Sequence, residues 1–190
     1  MISAPEELLT PRLILRKPLR GDAGDLIALW AHDPEVTRYL MRRSFGSIRE
    51  VEEFLEGTHA DWEGGDAFAW SLLLRDGGAL VGMIEARVDT YMVNISYLLG
   101  RAYWNRGLTT EAVRGVCAWA DAQPDVFRLW AVCAVDNPAS ARVLEKAGMT
   151  REGLLRRWAV FPNIDGTPRD CYSYARIKDP ALQAEHQAAP

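Results

Sequence analysis

The tightest constraint on this chain lies between residues 68 and 100, where three apolar stretches of strand length, FAWSLLLRD, ALVGMIEARVD and VNISYLLG, follow one another with only short turns between them. Gly77-Gly78 marks the first turn. Consecutive strands joined so closely pair most simply as an antiparallel meander. The sequence before them has a different period. In GDAGDLIALWAHDPEV, Leu26, Ile27, Leu29 and Trp30 form a helical stripe after Asp22 or Asp25 as cap, broken at Asp33-Pro34, with a short second helix to follow. Ser47 and Glu50 make a capping-box pattern, and Val51, Phe54, Leu55 and Trp62 continue at helical spacing until Gly64-Gly65. An earlier strand is expected in TPRLILRKP, where Leu13 and Leu15 alternate with charged residues between Pro11 and Pro18.

After the meander the pattern predicts a helix from about Thr110 to Ala122, a strand LWAVCAV, a helix from Asn137 to Ala147, and a strand pair in LLRRWAVF and CYSYARI around the loop PNIDGTPR. The fold class expected is α+β, a mixed sheet flanked by helices. At 190 residues and 48% hydrophobic, the chain can bury a core without disulfides or metal, so a single domain over 1–178 is expected, with 179–190 a loose tail.

Several function classes are disfavoured. The formal charge of −4 offers no field for a polyanion, so nucleic acid is not expected as a partner. Cys117, Cys133 and Cys171 lack metal-ligand spacing, and His32, His59 and His186 are scattered, so no metal is expected. Glu6 and Glu7 in MISAPEELLTPRL are unlike a signal peptide, and no uncharged apolar run of about 18 residues occurs, so the expectation is a cytoplasmic protein without a membrane partner. Trp30, Trp62, Trp70, Trp119, Trp130 and Trp158 read as core.

Chemistry concentrates in VNISYLLGRAYWNRGLTTEAVRGVCAWA, a strand, a turn containing Gly107 and an amphipathic helix. The first amides of a helix have no intrahelical acceptor and lie at the positive end of its dipole, so such a turn can wrap a pyrophosphate in backbone donors. The plainer alternative makes Thr109 or Thr110 a helix cap and Gly107 an ordinary turn residue. A second unit, LWAVCAVDNPASARVLEKAGM, runs from an apolar strand to Asn137 as cap, Pro138 at the first helical position and Gly148 as stop. Ser140, in the first turn, falls outside the core stripe of Val143, Leu144 and Ala147; it is a reactive group or a solvated serine.

Together these units resemble the GCN5-related N-acetyltransferase (GNAT) superfamily, and within it the RimJ/RimL-type branch of ribosomal-protein amino-terminal acetyltransferases. The resemblance rests on TPRLILR, AYWNRGLTTEA, NPASARVLEKAGM and REGLLR, and on the order of elements. It implies a mostly antiparallel, splayed sheet, acetyl-CoA as co-substrate and direct acyl transfer to an amine, either a protein amino terminus or a small molecule. It also implies that Tyr97, Leu98 and Leu99 border a splay that takes the pantetheine arm, that the turn Trp104, Asn105, Arg106, Gly107, Leu108, Thr109 and Thr110 takes the pyrophosphate, that Asn137 bonds the arm, and that Ser140 protonates the departing thiolate. Arg142, with Arg101 and Arg106, is a candidate for the phosphates or plain surface charge. This chain keeps only the first glycine of the superfamily's glycine-rich element, has Leu144 where many relatives carry tyrosine, and has Met149 for the usual phenylalanine.

An attacking amine must first lose a proton, and a carboxylate near the splay is the usual device. Glu85 is the candidate base, expected to share a face with Val81 and Met83; the alternative is a solvated strand position. Asp136 is a rival, and Asn94 stands where an acid is common. Tyr97 is also a candidate for contact with the acceptor or acyl group, and acceptor choice is assigned to residues 33–47. A non-catalytic acyl-CoA-binding module is the competing reading. Edge strands near the carboxy terminus leave a homodimer open.

Overall fold

The computed structural model describes residues 2–30 and 33–178. It contains β1 (Glu7–Leu9), β2 (Leu13–Arg16), α1 (Ala23–Trp30), α2 (Pro34–Thr37), α3 (Ile48–Gly64), β3 (Ala67–Leu74), β4 (Leu80–Asp89), β5 (Met92–Leu99), α4 (Leu108–Asp121), β6 (Arg128–Ala134), α5 (Pro138–Lys146), β7 (Thr150–Val160) and β8 (Pro168–Ile177). The strands form one sheet in the order β1-β2-β3-β4-β5-β6-β8-β7, antiparallel except where β5 meets β6. The α+β reading and the meander of β3, β4 and β5 hold. The tail expected over 179–190 lies outside the described residues, as do His32 and His186.

Helices cover both faces. On one, α4 packs Leu108, Ala112, Val113 and Val116 onto Ile84, Ala86, Val93 and Ile95, beside a group of Phe68, Trp70 and Trp119. On the other, α1 and α3 place Leu26, Trp30, Val51 and Leu55 on Ala69, Leu80 and Met83. The indoles of Trp70 and Trp119 donate to the carbonyls of Pro5 and Ser3, so the apolar core also fixes the segment ahead of β1.

The structure corrects three local expectations. Asp22 and Asp25 do not cap α1: the buried Asp22 carboxylate accepts from Arg16, from the Leu19 amide and from Ser71 Oγ, tying a 3-10 turn to β2 and β3. Burial would raise its pKa, but these donors bring it below the ordinary value. Trp158 is not core but 52% exposed on the edge strand β7. Finally, Val81 does not share a face with Met83 and Glu85, because the pairing of β3 with β4 slips between Leu72 and Leu73, leaving Val81 on the α4 side and Met83 on the α1 and α3 side. Gly82, next to the bulge, lets β5 come close on the other side: a Cβ there would stand 2.2 Å from the carbonyl oxygen of Leu98.

Candidate functional site

The parallel contact of β5 with β6 is brief. Met92, Val93 and Asn94 pair with Arg128, Leu129 and Trp130, and there the register ends. Beyond it, Ile95–Leu99 remains paired to β4 and 131–134 to β8, so the two strands part and face each other with unpaired backbone. The expected splay is therefore present, an opening through the sheet with free donors and acceptors on its rims. Such groups are satisfied by an extended amide-bearing chain lying between them.

At the end of β5 the chain enters the turn that precedes α4. Trp104 donates its indole N–H to the carbonyl of Leu99 at 2.8 Å, anchoring the turn to the strand. Asn105 adopts φ 60°, and Gly107 is the N-cap at φ 76°, where a side chain is strained. The cap is not Thr109 or Thr110: α4 begins at Leu108 and its N-terminus has no side-chain acceptor. Among the described residues the backbone N–H groups from Asn105 to Thr110 have no protein acceptor. Leu108 itself is a buried anchor, 3% exposed, which leaves its amide rather than its side chain facing the turn.

Two residues that hold this cradle escape the sequence reading. Arg12, from the turn between β1 and β2, donates Nη1 to the carbonyl of Arg106 at 2.8 Å and Nε to Glu111 Oε2 at 2.7 Å. Glu111, in the first turn of α4, also accepts from the Arg12 amide and from Thr10 Oγ1. Burial would raise the pKa of Glu111, but these donors hold it below the ordinary value. A first-turn acid that could have repelled an anion is thus turned away and neutralised. Of the cations expected at the phosphates, Arg101 instead faces Asp33 at 3.6 Å, Arg106 lies over the Tyr103 ring, and Arg142 is exposed on α5.

Across the splay, Asn137 caps α5 by accepting from the Ser140 amide at 3.1 Å, which uses its Oδ1 and leaves the Nδ2 donors. Tyr97 reaches from β5 to this helix: its hydroxyl lies 2.8 Å from Ser140 Oγ and 3.3 Å from the Ser140 carbonyl. Burial pushes the phenol well above its ordinary pKa, so it stays protonated. Cys133 on β6, its thiol pushed up to about 11 chiefly by burial, also contacts Ser140. Leu144, where many relatives carry tyrosine, is fully buried, and the hydroxyl beside Ser140 Oγ is that of Tyr97. The alternation of β5 would have placed Tyr97 with Ile95 and Leu99; its partner Ser140 lies 43 residues on, beyond the reach of any periodicity.

Glu85 occupies the other face. It is opposite Ser96 in the β4–β5 register, whereas Ile84 is opposite Tyr97, so Glu85 and the Tyr97–Ser140 pair approach the splay from opposite sides of the sheet. Its side chain is 24% exposed and lies 3.4 Å from Arg87; Ser96 beside it is exposed. Asp136 is a surface residue facing Arg169 at 3.6 Å, and Asn94 donates to the carbonyl of Trp130. Leu98 also turns to this face and packs against the α1 and α3 cluster.

Over that face runs the segment from Arg38 to Ser47. One end is held where the Tyr39 hydroxyl donates to the Asp136 carbonyl and its ring meets Phe161; the other where Phe45 packs on Trp30 and Phe54. Asn163, in the β7–β8 loop, fixes the middle: Nδ2 donates to the carbonyls of Thr37 and Arg42, and Oδ1 accepts from the Ser44 amide and hydroxyl. Asn163 was not singled out in the sequence, where it stands as an ordinary turn residue. His59 serves the fold, its Nε2 within 2.6 Å of the Pro18 carbonyl oxygen. Among the described residues no cluster of ligating side chains could hold a metal, and no helix is long and apolar enough to cross a membrane.

This arrangement has counterparts. Residues 12–150 match the family model for the acetyltransferase (GNAT) domain. The uncharacterized N-acetyltransferase YoaA of Bacillus subtilis (strain 168) is 31% identical over 174 residues, covering 90% of this chain and 96% of that one. Among solved structures, RimL, the ribosomal L7/L12 alpha-N-protein acetyltransferase in complex with coenzyme A, superposes with a TM-score of 0.83 at 20% identity, over 92% of this chain and 99% of that one. The microcin C7 self immunity acetyltransferase MccE, in complex with acetyl-CoA and AMP, does so with a TM-score of 0.81 at 20% identity, over 88% and 93%. The two structures share the fold, while the family model and the Bacillus relative carry the family. The chain belongs to the GNAT family of acetyltransferases.

Proposed function

We propose that this chain moves an acetyl group from acetyl-CoA to a primary amine by direct transfer in a ternary complex. One observation carries the reading: a single opening through the sheet has unpaired backbone on its rims, acceptor-free amides from Asn105 to Thr110 at one end, a hydroxyl pair on one face and a carboxylate on the other. Acetyl-CoA supplies the activated acyl group as its thioester. The amides of the Gly107 turn hold the pyrophosphate, with Arg12 keeping the turn in place and Arg142 and Arg106 near the phosphates. The rims contributed by Tyr97, Leu98 and Leu99 take the amides of the arm, joined by Asn137 Nδ2.

The residues divide the proton work. Glu85, directly or through a water, accepts the proton of the ammonium as its nitrogen forms the new C–N bond. Ser140 Oγ gives a proton to sulfur as the C–S bond breaks and is reprotonated by relay through the Tyr97 hydroxyl 2.8 Å away, which recovers through water the second proton that the new amide nitrogen sheds. Most of the acceleration comes from positioning, because holding amine and acyl carbon in line removes the entropy of their encounter. The acceptor is a protein amino terminus, the chemistry of RimL, or a small-molecule amine. A cytoplasmic setting fits either.

The test joins binding to turnover. Acetyl-CoA should raise the melting temperature by mass action, more than dephospho-CoA if the cradle also engages the 3′-phosphate. CoA release against a panel of amines and amino-terminal peptides then finds the acceptor. With it, Ser140→Ala, Tyr97→Phe and Glu85→Gln should each lower kcat on the order of 100-fold, the size usual for a general acid or base, while the KM for acetyl-CoA changes little. Unchanged kcat in all three would sink the assignments. Binding of acetyl-CoA without CoA release to any amine would favour the non-catalytic reading.

A further inference from the structure

Beside Glu85, on the face away from Tyr97, the segment from Arg38 to Ser47 carries an unusual guanidinium. Arg42 lies over the ring of Phe45 at 3.9 Å, Phe54 at 4.9 Å and Trp30 at 5.9 Å. Its side chain makes one hydrogen bond, Nη1 to the Arg43 carbonyl at 3.3 Å, and has no carboxylate within ion-pair distance among the described residues. Glu85 acts on it only through space, being itself paired with Arg87. Burial lowers the Arg42 pKa and the charge of Glu85 partly restores it, which agrees with a cation partly withdrawn from water and without a contact anion among the described residues.

Rings compensate only part of that loss, since a cation over an aromatic face recovers about 0.5–2 kcal/mol. A bidentate carboxylate is the group that best matches the fork of donors that remain. Trp30, one of the three rings, is itself only 3% exposed, so the guanidinium rests on a packed aromatic base. The position of the segment is also fixed. Asn163 holds the Arg42 carbonyl at 2.9 Å, so the guanidinium is presented by an anchored backbone.

From these contacts we infer that Arg42 receives the carboxylate of the acceptor, and that the acceptor is a free α-amino acid with an apolar side chain. Its amine then falls to Glu85 and the splay, with the partly buried Leu98, Phe45 and Phe54 the apolar surface nearest its side chain. The inference rests on the acetyltransferase reading above and narrows its acceptor. A protein amino terminus has an uncharged carbonyl where an amino acid has its carboxylate, and leaves Arg42 without a counter-ion.

The experiment compares matched acceptors on the full chain with saturating acetyl-CoA: leucine against isoamylamine, phenylalanine against phenethylamine, and each amino acid against its amide and an amino-terminal peptide. The amino acids are expected to have the larger kcat/KM on the order of 10–100-fold, the range for a hydrogen-bonded charge pair. Arg42→Gln should raise the KM for the amino acid by a similar factor and leave the KM for acetyl-CoA unchanged. Arg42→Lys should recover part of the loss. Arg42→Met keeps the stem against the rings, so it separates lost recognition from a collapsed segment. Equal use of amines, amides or peptides overturns the inference, as does an unaltered KM in Arg42→Gln. If acetyl-CoA raises the melting temperature but no free amino acid is acetylated, this inference fails and the transferase reading stands; no shift at all removes both.

Discussion

The two helices that begin beside the splay start in opposite ways. At α5 the Asn137 side chain closes the first turn and Pro138 removes an N–H that would have lacked an acceptor. At α4 the cap is a glycine in the left-handed region, no side chain closes the turn, and the acid that might have done so, Glu111, is held by Arg12 and Thr10. The first helix end is finished by its own sequence and so can fix Ser140 against Tyr97. The second is left incomplete, its amides kept for something outside the chain. A helix start built for stability and one built for a ligand thus differ in where the first-turn acceptor has gone.

Giving α4 the acceptor it lacks should abolish this difference with the largest effect. Gly107→Asp places a carboxylate where an anion would sit, and Asp tolerates a left-handed φ better than most residues. Acetyl-CoA affinity should fall on the order of 100-fold by calorimetry, because the new charge both occupies the amides and repels phosphate. Retained affinity would mean that the turn does not hold the pyrophosphate.

Releasing the acid of α4 is a smaller perturbation that reads out in stability. Glu111→Gln removes the charge facing Arg12 and should cost about 1–3 kcal/mol at pH 7, the usual value of hydrogen bonds to a charged group. The pKa of Glu111 is lowered by folding, so its contribution is complete above the ordinary carboxylate pKa and is lost as pH falls through the lowered folded value. Urea denaturation of variant and wild type should therefore diverge at pH 7 and converge in strong acid. A gap independent of pH would show that the carboxylate charge is not what matters.

Opening α5 is the mildest change. Asn137→Ala should cost about 1 kcal/mol, the typical price of a lost cap, seen as a lower Tm. If Asn137 also bonds the pantetheine arm, the KM for acetyl-CoA rises as well; a change in Tm alone leaves it a cap.

Legibility in the sequence followed the reach of each interaction. Helix ends with local punctuation, Ser47 with Glu50 and Asn137 with Pro138, form where the pattern places them, because cap and amide lie within three residues. The splay and the turn at Gly107 were readable through the family resemblance. The bulge at Gly82 was not, since it moves Val81 to the other face without altering composition, and a period of two carries no sign of a skipped residue. The contacts of Arg12, Tyr97, Arg42 and Asn163 were invisible for a different reason: each joins elements distant in the chain or depends on what surrounds it in space. Arg42 in particular reads as one more surface charge until three rings are seen around it.

The link from Arg12 to Glu111 spans 99 residues, and it bears on how the protein comes to be active. A cradle so held is not a portable loop: transplanted with β5 and α4 alone, it would lack the strut that fixes its carbonyl. It is also among the contacts with a high cost of chain closure, and contacts of that kind form slowly. Donor binding should accordingly appear late in refolding, after the meander has formed, and removal of the first dozen residues should disable it while leaving the sequence of the turn intact.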